Sequence, residues 1–400
     1  LLHRLPRHYL VMMALAFLST VTSFIFPLTA PIIMTMTKSS PTEVTLALGI
    51  LGLIVGLSQP YFGSFLEKGR ILAPFLLSVS GVACGLMVFV FQSSSLIMVL
   101  AGLLALNIGY GVYQTTSSII GLGLIPSSLR ETGASYFFLV VNLGLAISAV
   151  LAALFLTRWR DIMFILDLCT TLLAVFGVYF ITLRKRHAIT IRRTSNHTSY
   201  RLVFQTIYHH APLMIGITLL FAGTHLAIMI LPLYFEFKGL DTMRLTAYQM
   251  LLNTMIVALG TLVVGHWVDY LGRPRSACLS GLLIGSAFIL IPYVEFRVIF
   301  FVYACLFSLG EVIAVRLGSA VFFDIFPEDR KGLASGTSMM IHSIARTMSP
   351  LLGLSLFHLP VATASYLLGV TFILGGTLLG YWYWSYSSEI TLTSHMEHAS

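Results

Sequence analysis

Six ionisable residues stand inside long apolar runs, and chemistry is to be sought there first. Glu311 and Arg316 share the run 298–324, His342 and Arg346 the run 333–357, His225 the run 211–235 and Asp167 the run 161–183. An ionisable group inside a hydrocarbon-like surround costs roughly 2.5–3.5 kcal/mol on insertion scales, so it generally marks function. At about 1.5 Å of rise per residue, Glu311 lies roughly 20 Å from the Asp324 end of its run, and Arg346 roughly 20 Å into the next. Consecutive runs are antiparallel, so a Glu311–Arg346 pair near the middle of both is expected. Arg316 and His342 share a level roughly 12–14 Å deep. His342 and Arg346, at i and i+4, share a face. The chemistry open to such a column is proton exchange or the anchoring of a charged solute. A change in the surroundings of a carboxylate beside a guanidinium changes its hold on a proton. The competing use is a static pair tying two helices.

Other polar groups are read more quietly. His225 is expected to be a neutral imidazole satisfied by a hydroxyl or carbonyl, or else a cavity group. Asp167 is read as structural, paired across a helix contact. In the run 96–124, Asn107, Tyr110, Tyr113 and Gln114 surround Gly109 and Gly111. Positions at i, i+3 and i+4 cover one stripe, and the small residues permit close helix approach. These four are candidates to line a cavity, with core packing as the alternative.

The elements that must position these groups are legible from composition. The chain of 400 residues is 57% hydrophobic and 10% charged, with mean hydropathy +0.92. Soluble domains carry about 25% charged residues. The solvent is therefore lipid, where backbone groups are satisfied only by helices or closed barrels. The apolar runs are continuous and near the roughly 20 residues a spanning helix needs. They fall at 9–36, 44–66, 71–91, 96–124, 134–156, 161–183, 211–235, 246–268, 276–294, 298–324, 333–357 and 361–385. The reading is an all-α membrane protein of twelve transmembrane helices in two pseudo-symmetric six-helix bundles, residues 1–183 and 211–386. A linker at 184–210 joins them, and 387–400 form a short tail. The linker carries Arg184, Lys185, Arg186, Arg192, Arg193 and Arg201 with no acid.

Charge sets the orientation. Arg4, Arg7, Lys68, Arg70, Arg130, Arg273, Arg275, Arg330 and Lys331 fall on the same side as the linker. That bias puts both termini in the cytoplasm of a plasma-membrane protein. The net charge of +8 is thus a topology signal and not a sign of nucleic acid as partner. Cys84, Cys169, Cys278 and Cys305 sit singly in apolar runs, and are expected as small buried hydrophobes and not as a disulfide or metal framework. No metal or cofactor is called for. The expected partners are a small-molecule substrate, the bilayer and protons, with the protein a monomer.

The two halves echo each other. After the second run the chain reads Gly63-Ser64-Phe65-Leu66-Glu67-Lys68-Gly69-Arg70. After the eighth it reads Gly265-His266-Trp267-Val268-Asp269-Tyr270-Leu271-Gly272-Arg273-Pro274-Arg275. Both place a glycine at a helix end, an acid four residues on, then Gly-Arg. Parallel six-helix repeats are a transporter architecture. The second copy resembles the Gly-x-x-x-Asp-x-x-Gly-Arg-x-Arg signature of the major facilitator superfamily. The first is one residue short and carries Glu67 for Asp. The resemblance implies a conformational lock, with Glu67 facing the start of the eleventh helix and Asp269 the start of the fifth. A carboxylate is stabilised at the positive end of a helix. Arg70, Arg273 and Arg275 would add ion pairs across the cytoplasmic seam. The plain alternative is a solvated turn whose basic residues set topology.

The same resemblance implies that the seventh, tenth and eleventh helices line a central cavity and that the sixth is peripheral. Several facilitator groups place an Arg early in the fourth helix, where Asn107 stands here. Phe137–Gly144 and Leu309-Gly310-Glu311 resemble runs of proton-coupled oligopeptide carriers. The first helix lacks the charged motif of those carriers, and Ser148-Ala149 replaces the Gly-Pro of drug antiporters. Pro27, Pro31 and Pro60 are expected to bend the helices that rock. The function implied is secondary transport of a small organic solute by alternating access, coupled to protons. Export of a drug or of a metabolite such as a siderophore is the alternative. A polytopic acyltransferase is the competing class, and no His-centred motif for it stands out. There is no Gly-x-x-x-x-Gly-Lys-Ser/Thr loop for ATP.

Overall fold

The computed structural model describes residues 5–23, 33, 36–67, 70–91, 94–123, 125, 127–184, 200–327 and 330–399. Within them the chain runs as helices. They are α1 (Arg7–Val21), α2 (Pro41–Glu67), α3 (Leu72–Val90) and α4 (Leu96–Gly123). A long helical segment, Ser127–Arg184, breaks at Trp159 (φ −129°, ψ 36°). The part before the break is α5 and the part after it, Asp161–Arg184, is α6. A short linker helix, Tyr200–His209, precedes α7, which starts at Ala211, passes through a π turn at Leu226–Ile230 and ends at Phe237. Then come α8 (Thr242–Leu271), α9 (Arg273–Ile289), α10 (Arg297–Ile325), α11 (Lys331–Gly353) and α12 (Val361–Ala399). Pro27, Pro31 and most of the basic linker lie outside the described residues.

Local sequence explains several boundaries. Ser40 and Glu43 form a capping box at the start of α2, with Ser40 N donating to Glu43 Oε2 (2.8 Å) and Glu43 N to Ser40 Oγ (3.3 Å). Asp241 caps α8 by accepting from Arg244 N (3.2 Å). Gly272, the glycine that precedes Arg273 in the second loop, has φ +78°. That left-handed residue lets α8 stop and α9 start with no intervening loop, which a side chain would strain.

Seven of these helices, α2, α3, α4, α6, α7, α10 and α12, are long and apolar enough to cross a bilayer by length and composition. Others fall short for a reason that bears on function. α8 carries Arg244, Gln249, Asn253 and Asp269, and α11 carries Lys331, His342 and Arg346 among many serines and threonines. Much of that polarity turns inward: Gln249, Asn253, Ser335, Thr337 and Ser338 are buried. Large apolar side chains such as Ile50, Leu154, Leu173, Leu259 and Val298 lie on the outer surface. In water they would be a liability; in a bilayer they face their solvent.

Close contacts are made by glycine. In the first half α3 meets α4 at Gly81 and Gly109, and in the second α9 meets α12 at Gly281 and Gly376. The most extensive packing in the molecule is α2 along α11. Gly49, Gly52, Gly56 and Gly63 line that face of α2 and meet Thr347, Ser343 and Gly332 in turn. The Ser127–Arg184 segment packs on α8 and α10, and α4 on α11. These contacts form the seam between the first six helices and the last six.

Candidate functional site

A cavity of about 150 Å³ opens on that seam, lined by residues of α1, α2, α3, α4, α5, α6 and α11. Leu48, Leu51, Val55 and Leu106 give it an apolar wall. Its polar groups are Gln59, Asn107, Tyr110, Gln114, Asp167, His342 and Arg346, with Thr20 and Ser23. A pocket of mostly apolar lining with a few placed polar groups is the usual form of a small-molecule site.

The four α4 candidates divide between the cavity and the core. Asn107, Tyr110 and Gln114 line the cavity. Tyr113 does not; it is buried with Met12 of α1 and Val175 and Val178 of α6. Residue 113 follows 110 by three and precedes 114 by one, so it rolls to the edge of the stripe and packs behind it.

Arg346 reaches across the seam. Its Nη1 donates to Asn107 Oδ1 at 2.9 Å, joining α11 to α4. One turn earlier, His342 stacks on Phe221 of α7, centroids 3.9 Å apart and planes 16° from parallel. His225 lies within electrostatic range of both. Its Nδ1 has no hydrogen-bond partner among the described residues, so the hydroxyl or carbonyl expected for it is not found at that nitrogen. Arg316 and His225 are absent from the cavity lining. His225 stands immediately before the π turn of α7, a distortion that commonly accompanies functional positions.

Glu311 is placed differently from the expectation. It is 1% exposed and accepts a hydrogen bond from Asn253 Nδ2 of α8 at 2.6 Å. It does not line the cavity and is not paired with Arg346. Depth counting fixes the height of a residue along a helix but not the direction it faces. Here α10 turns Glu311 toward α8 within its own half, while α11 turns Arg346 toward α4 of the other. One turn from Asn253, Gln249 Nε2 donates to Ala227 O (3.2 Å) in the π turn and reaches Tyr303 Oη (3.5 Å). A polar ladder on α8 thus runs from the Glu311 carboxylate to the distorted turn of α7.

Asp167 corrects the reading in the other direction. It lines the cavity, although it is only 2% exposed, and α6 is therefore not peripheral at this level. Thr171 Oγ1 donates to its Oδ1 (3.1 Å), and the Tyr110 hydroxyl lies 3.2 Å from Thr171 Oγ1. On the same helix Thr170 meets Thr22 of α1. The signal was present in the sequence as an acid in an apolar run. The family pattern alone argued for discounting it.

The loop residues are positioned unequally. Gly63 is buried against the first turn of α11, where an added Cβ would stand 2.9 Å from the Gly332 carbonyl carbon. Residue 67 follows one turn later. The side chains of Glu67 and Asp269 and the burial of Gly265 lie outside what the structure describes. Arg273 pairs with Asp324 at the end of α10 (3.9 Å), an ion pair within one half and not across the seam. Both groups are about half exposed, where such a pair contributes about 0–1 kcal/mol. Arg70 sits over the Phe65 ring at 5.8 Å, and Arg275 is exposed at the start of α9. Hydrogen bonds that do cross the seam run from Thr254 Oγ1 to Asn142 O (3.0 Å) and from Ser335 Oγ to Thr115 O (3.5 Å).

The Major Facilitator Superfamily description matches residues 12–314 and 246–398, which together take in nearly the whole chain. The chain belongs to the major facilitator superfamily. Solved facilitators share its fold at low identity. The human organic anion transporter TETRAN superposes with a TM-score of 0.71 at 16% identity, covering 93% of this chain and 99% of that one. A bacterial homologue of the iron transporter ferroportin, in an outward-facing state, gives 0.70 at 14% identity, covering 96% and 100%. The proton:xylose symporter XylE, bound to 6-bromo-6-deoxy-D-glucose, gives 0.65 at 14%, covering 92% and 94%. A Na(+), Li(+), K(+)/H(+) antiporter of Planococcus maritimus is 28% identical over 125 residues, 31% of this chain, and the match spans 28% of the length of that relative. This facilitator is therefore a multi-pass integral membrane protein of twelve helices in two bundles, and its relatives carry small solutes across membranes.

Proposed function

We propose that this facilitator carries a small organic solute by alternating access, with protons as the coupling ion. The observation that carries the reading is the seam cavity. Its walls come from both halves, and Arg346 of one half is hydrogen-bonded to Asn107 of the other. A group on the dividing surface must change partners when the halves rock, so solute binding there can bias the two access states. The halves are residues 1–183 and 211–386, joined by the linker 184–210, with both termini in the cytoplasm of a plasma membrane and the protein a monomer. In that orientation the Gly63–Gly332 contact closes the cytoplasmic end, with Glu67 and Asp269 as the lock.

Glu311 is the proposed coupling group. An isolated ionised carboxylate in such a place is costly, so it takes a proton or a partner, and Asn253 can donate to it in either state. The named activities of a proton symporter and a cation/proton antiporter among the similar proteins agree with this assignment. The small cavity favours a compact solute over a bulky drug or siderophore. Superfamily membership argues against an acyltransferase.

The test is uptake and counterflow in proteoliposomes with an imposed pH gradient, screened over solute classes. Glu311→Gln is expected to abolish pH-driven accumulation and to keep exchange at equal pH. Full accumulation by Glu311→Gln removes this residue from coupling. Failure of every solute to move removes the transport reading.

A further inference from the structure

α1 and α6 run antiparallel in a fixed register. Leu15 packs against Gly177, and seven residues further along α1 Thr22 meets Thr170, seven residues back along α6. Asp167 stands three residues before Thr170, so it lies roughly 4.5 Å beyond the level of Thr22 in the direction that α1 points. α1 stops at Val21, and Thr22 has left helical geometry (φ −102°, ψ 0°). A helix end leaves its last carbonyls short of amide partners and carries about half a negative charge. Thr22 Oγ1 and Ser23 N reach back to three of them, and each keeps a second lone pair. The negative end of α1 is thus aimed at the level of a carboxylate.

Two negative poles that face each other inside a membrane call for a cation between them. Asp167 is 2% exposed, and no basic side chain among the described residues is paired with it. Thr171 Oγ1 donates to its Oδ1 at 3.1 Å, and no described residue donates to its other oxygen. A carboxylate has roughly four lone-pair positions to fill. The other polar groups at this spot are oxygens as well. Tyr110 Oη lies 3.2 Å from Thr171 Oγ1. Ser23, just past the end of α1, stands beside the Tyr110 hydroxyl and lines the cavity with Asp167. Carboxylate, hydroxyl and carbonyl oxygens are hard ligands, suited to hard cations. Their summed charge is about one and a half negative, which a singly charged ion meets and a divalent ion exceeds. Unwound helix ends inside transporters hold ions of this kind.

We propose that the end of α1 and Asp167 form a binding site for an alkali-metal cation, with Thr171, Tyr110 and Ser23 supplying further oxygens. The ion ties α1 to α6 within the first half and fixes the wall on which Thr20 and Ser23 line the cavity. The Glu311–Asn253 pair belongs to the second half. The metal site therefore goes beyond the proton-coupled reading and does not depend on it.

The test is thermal unfolding of the purified full chain in nanodiscs. Ionic strength is held constant while choline is replaced stepwise by lithium, sodium, potassium or methylammonium. At least one alkali cation is expected to raise the unfolding temperature with saturation, because an ion that binds the folded state alone stabilises it by mass action. Asp167→Asn is expected to weaken that ion about tenfold or more, the usual effect of losing a charged partner. Thr171→Val keeps the shape of the side chain and removes one oxygen, and is expected to weaken the ion roughly two- to tenfold. A merely structural Asp167 behaves differently: its replacement lowers the unfolding temperature in choline and leaves the increment from the alkali cation unchanged. A carboxylate that only keeps a proton gives no alkali increment at any pH. Either result overturns the proposal, as does stabilisation by methylammonium and by no alkali cation. Where Asp167→Asn fails to fold, the wild-type series and Thr171→Val decide, and unchanged affinity in Thr171→Val then removes the site. The readout is binding, so it stands whether or not a solute moves.

Discussion

Replacing Gly63 by alanine drives a wedge into one end of the seam. The new Cβ would stand 2.9 Å from the Gly332 carbonyl carbon and 3.4 Å from Gly336 Cα. Carbon atoms settle at roughly 3.5–4.0 Å, so α2 and α11 must part there by about 1 Å. Both neighbours are backbone, which cannot rotate out of the way. Overpacking of this kind costs about 1–3 kcal/mol. It falls on the state in which these ends touch and is relieved when they separate. At about 1.4 kcal/mol per factor of ten, the closed-to-open ratio at this end falls roughly 5- to 140-fold. Alanine's higher helix preference acts in both states and cancels. The assay is pulsed electron–electron distance measurement between spin labels bracketing this end of α2 and α11. It requires prior replacement of Cys84, Cys169, Cys278 and Cys305, all of which are free thiols; the first three are exposed on the outer, lipid-facing surface and not buried as their apolar runs suggested, because a membrane helix turns apolar side chains outward as well as inward. The control is Gly260→Ala, whose Cβ would meet Val312 Cγ2 at an ordinary 3.6 Å. It is expected to leave the distances alone and to raise stability by up to about 1 kcal/mol. An unchanged distance distribution in Gly63→Ala refutes the claim that this glycine pair sets the closed state.

Further outcomes follow from the same geometry. A double-mutant cycle of Asn107→Ala and Arg346→Gln, read by thermal unfolding, is expected to give a coupling of about 0.5–3 kcal/mol, and additive effects would mean that the hydrogen bond across the seam contributes nothing. Asp269→Asn removes the acid proposed as the lock and is expected to shift accessibility from one membrane face to the other; unchanged accessibility and transport would leave this acid with a topological role only. Gln249→Leu strips the donor from Ala227 O in the π turn and is expected to cost about 1–3 kcal/mol of stability; a neutral effect in thermal unfolding would separate the α8 ladder from that turn.

The loop pair and the rhythm of apolar runs were enough to place twelve helices in two halves, because lipid leaves the backbone few choices and each span must be about the same length. Gly63 and Gly272 were also legible, and the structure supplies their separate reasons: one allows backbone contact with Gly332, the other takes φ +78°. Helical spacing offered Asn107, Tyr110, Tyr113 and Gln114 of α4 as cavity candidates without separating them from core packing; Asn107, Tyr110 and Gln114 line the cavity, and Tyr113 packs in the core. What spacing could not fix was azimuth. Glu311 and Arg346 stand at matching depths, yet one turns to Asn253 and the other to Asn107, because the roll of each helix is set by the side chains packed against it. Asp167 shows the same limit from the other side. Its run is as apolar as any outer helix, and only the packing of α6 against α1 and α4 brings its carboxylate into the cavity. The sequence by itself determined the solvent, the spans, the repeat and the short list of groups costly enough to matter. Tertiary packing decided which of them share a space, since the direction a side chain faces is a property of its neighbours and not of its own helix.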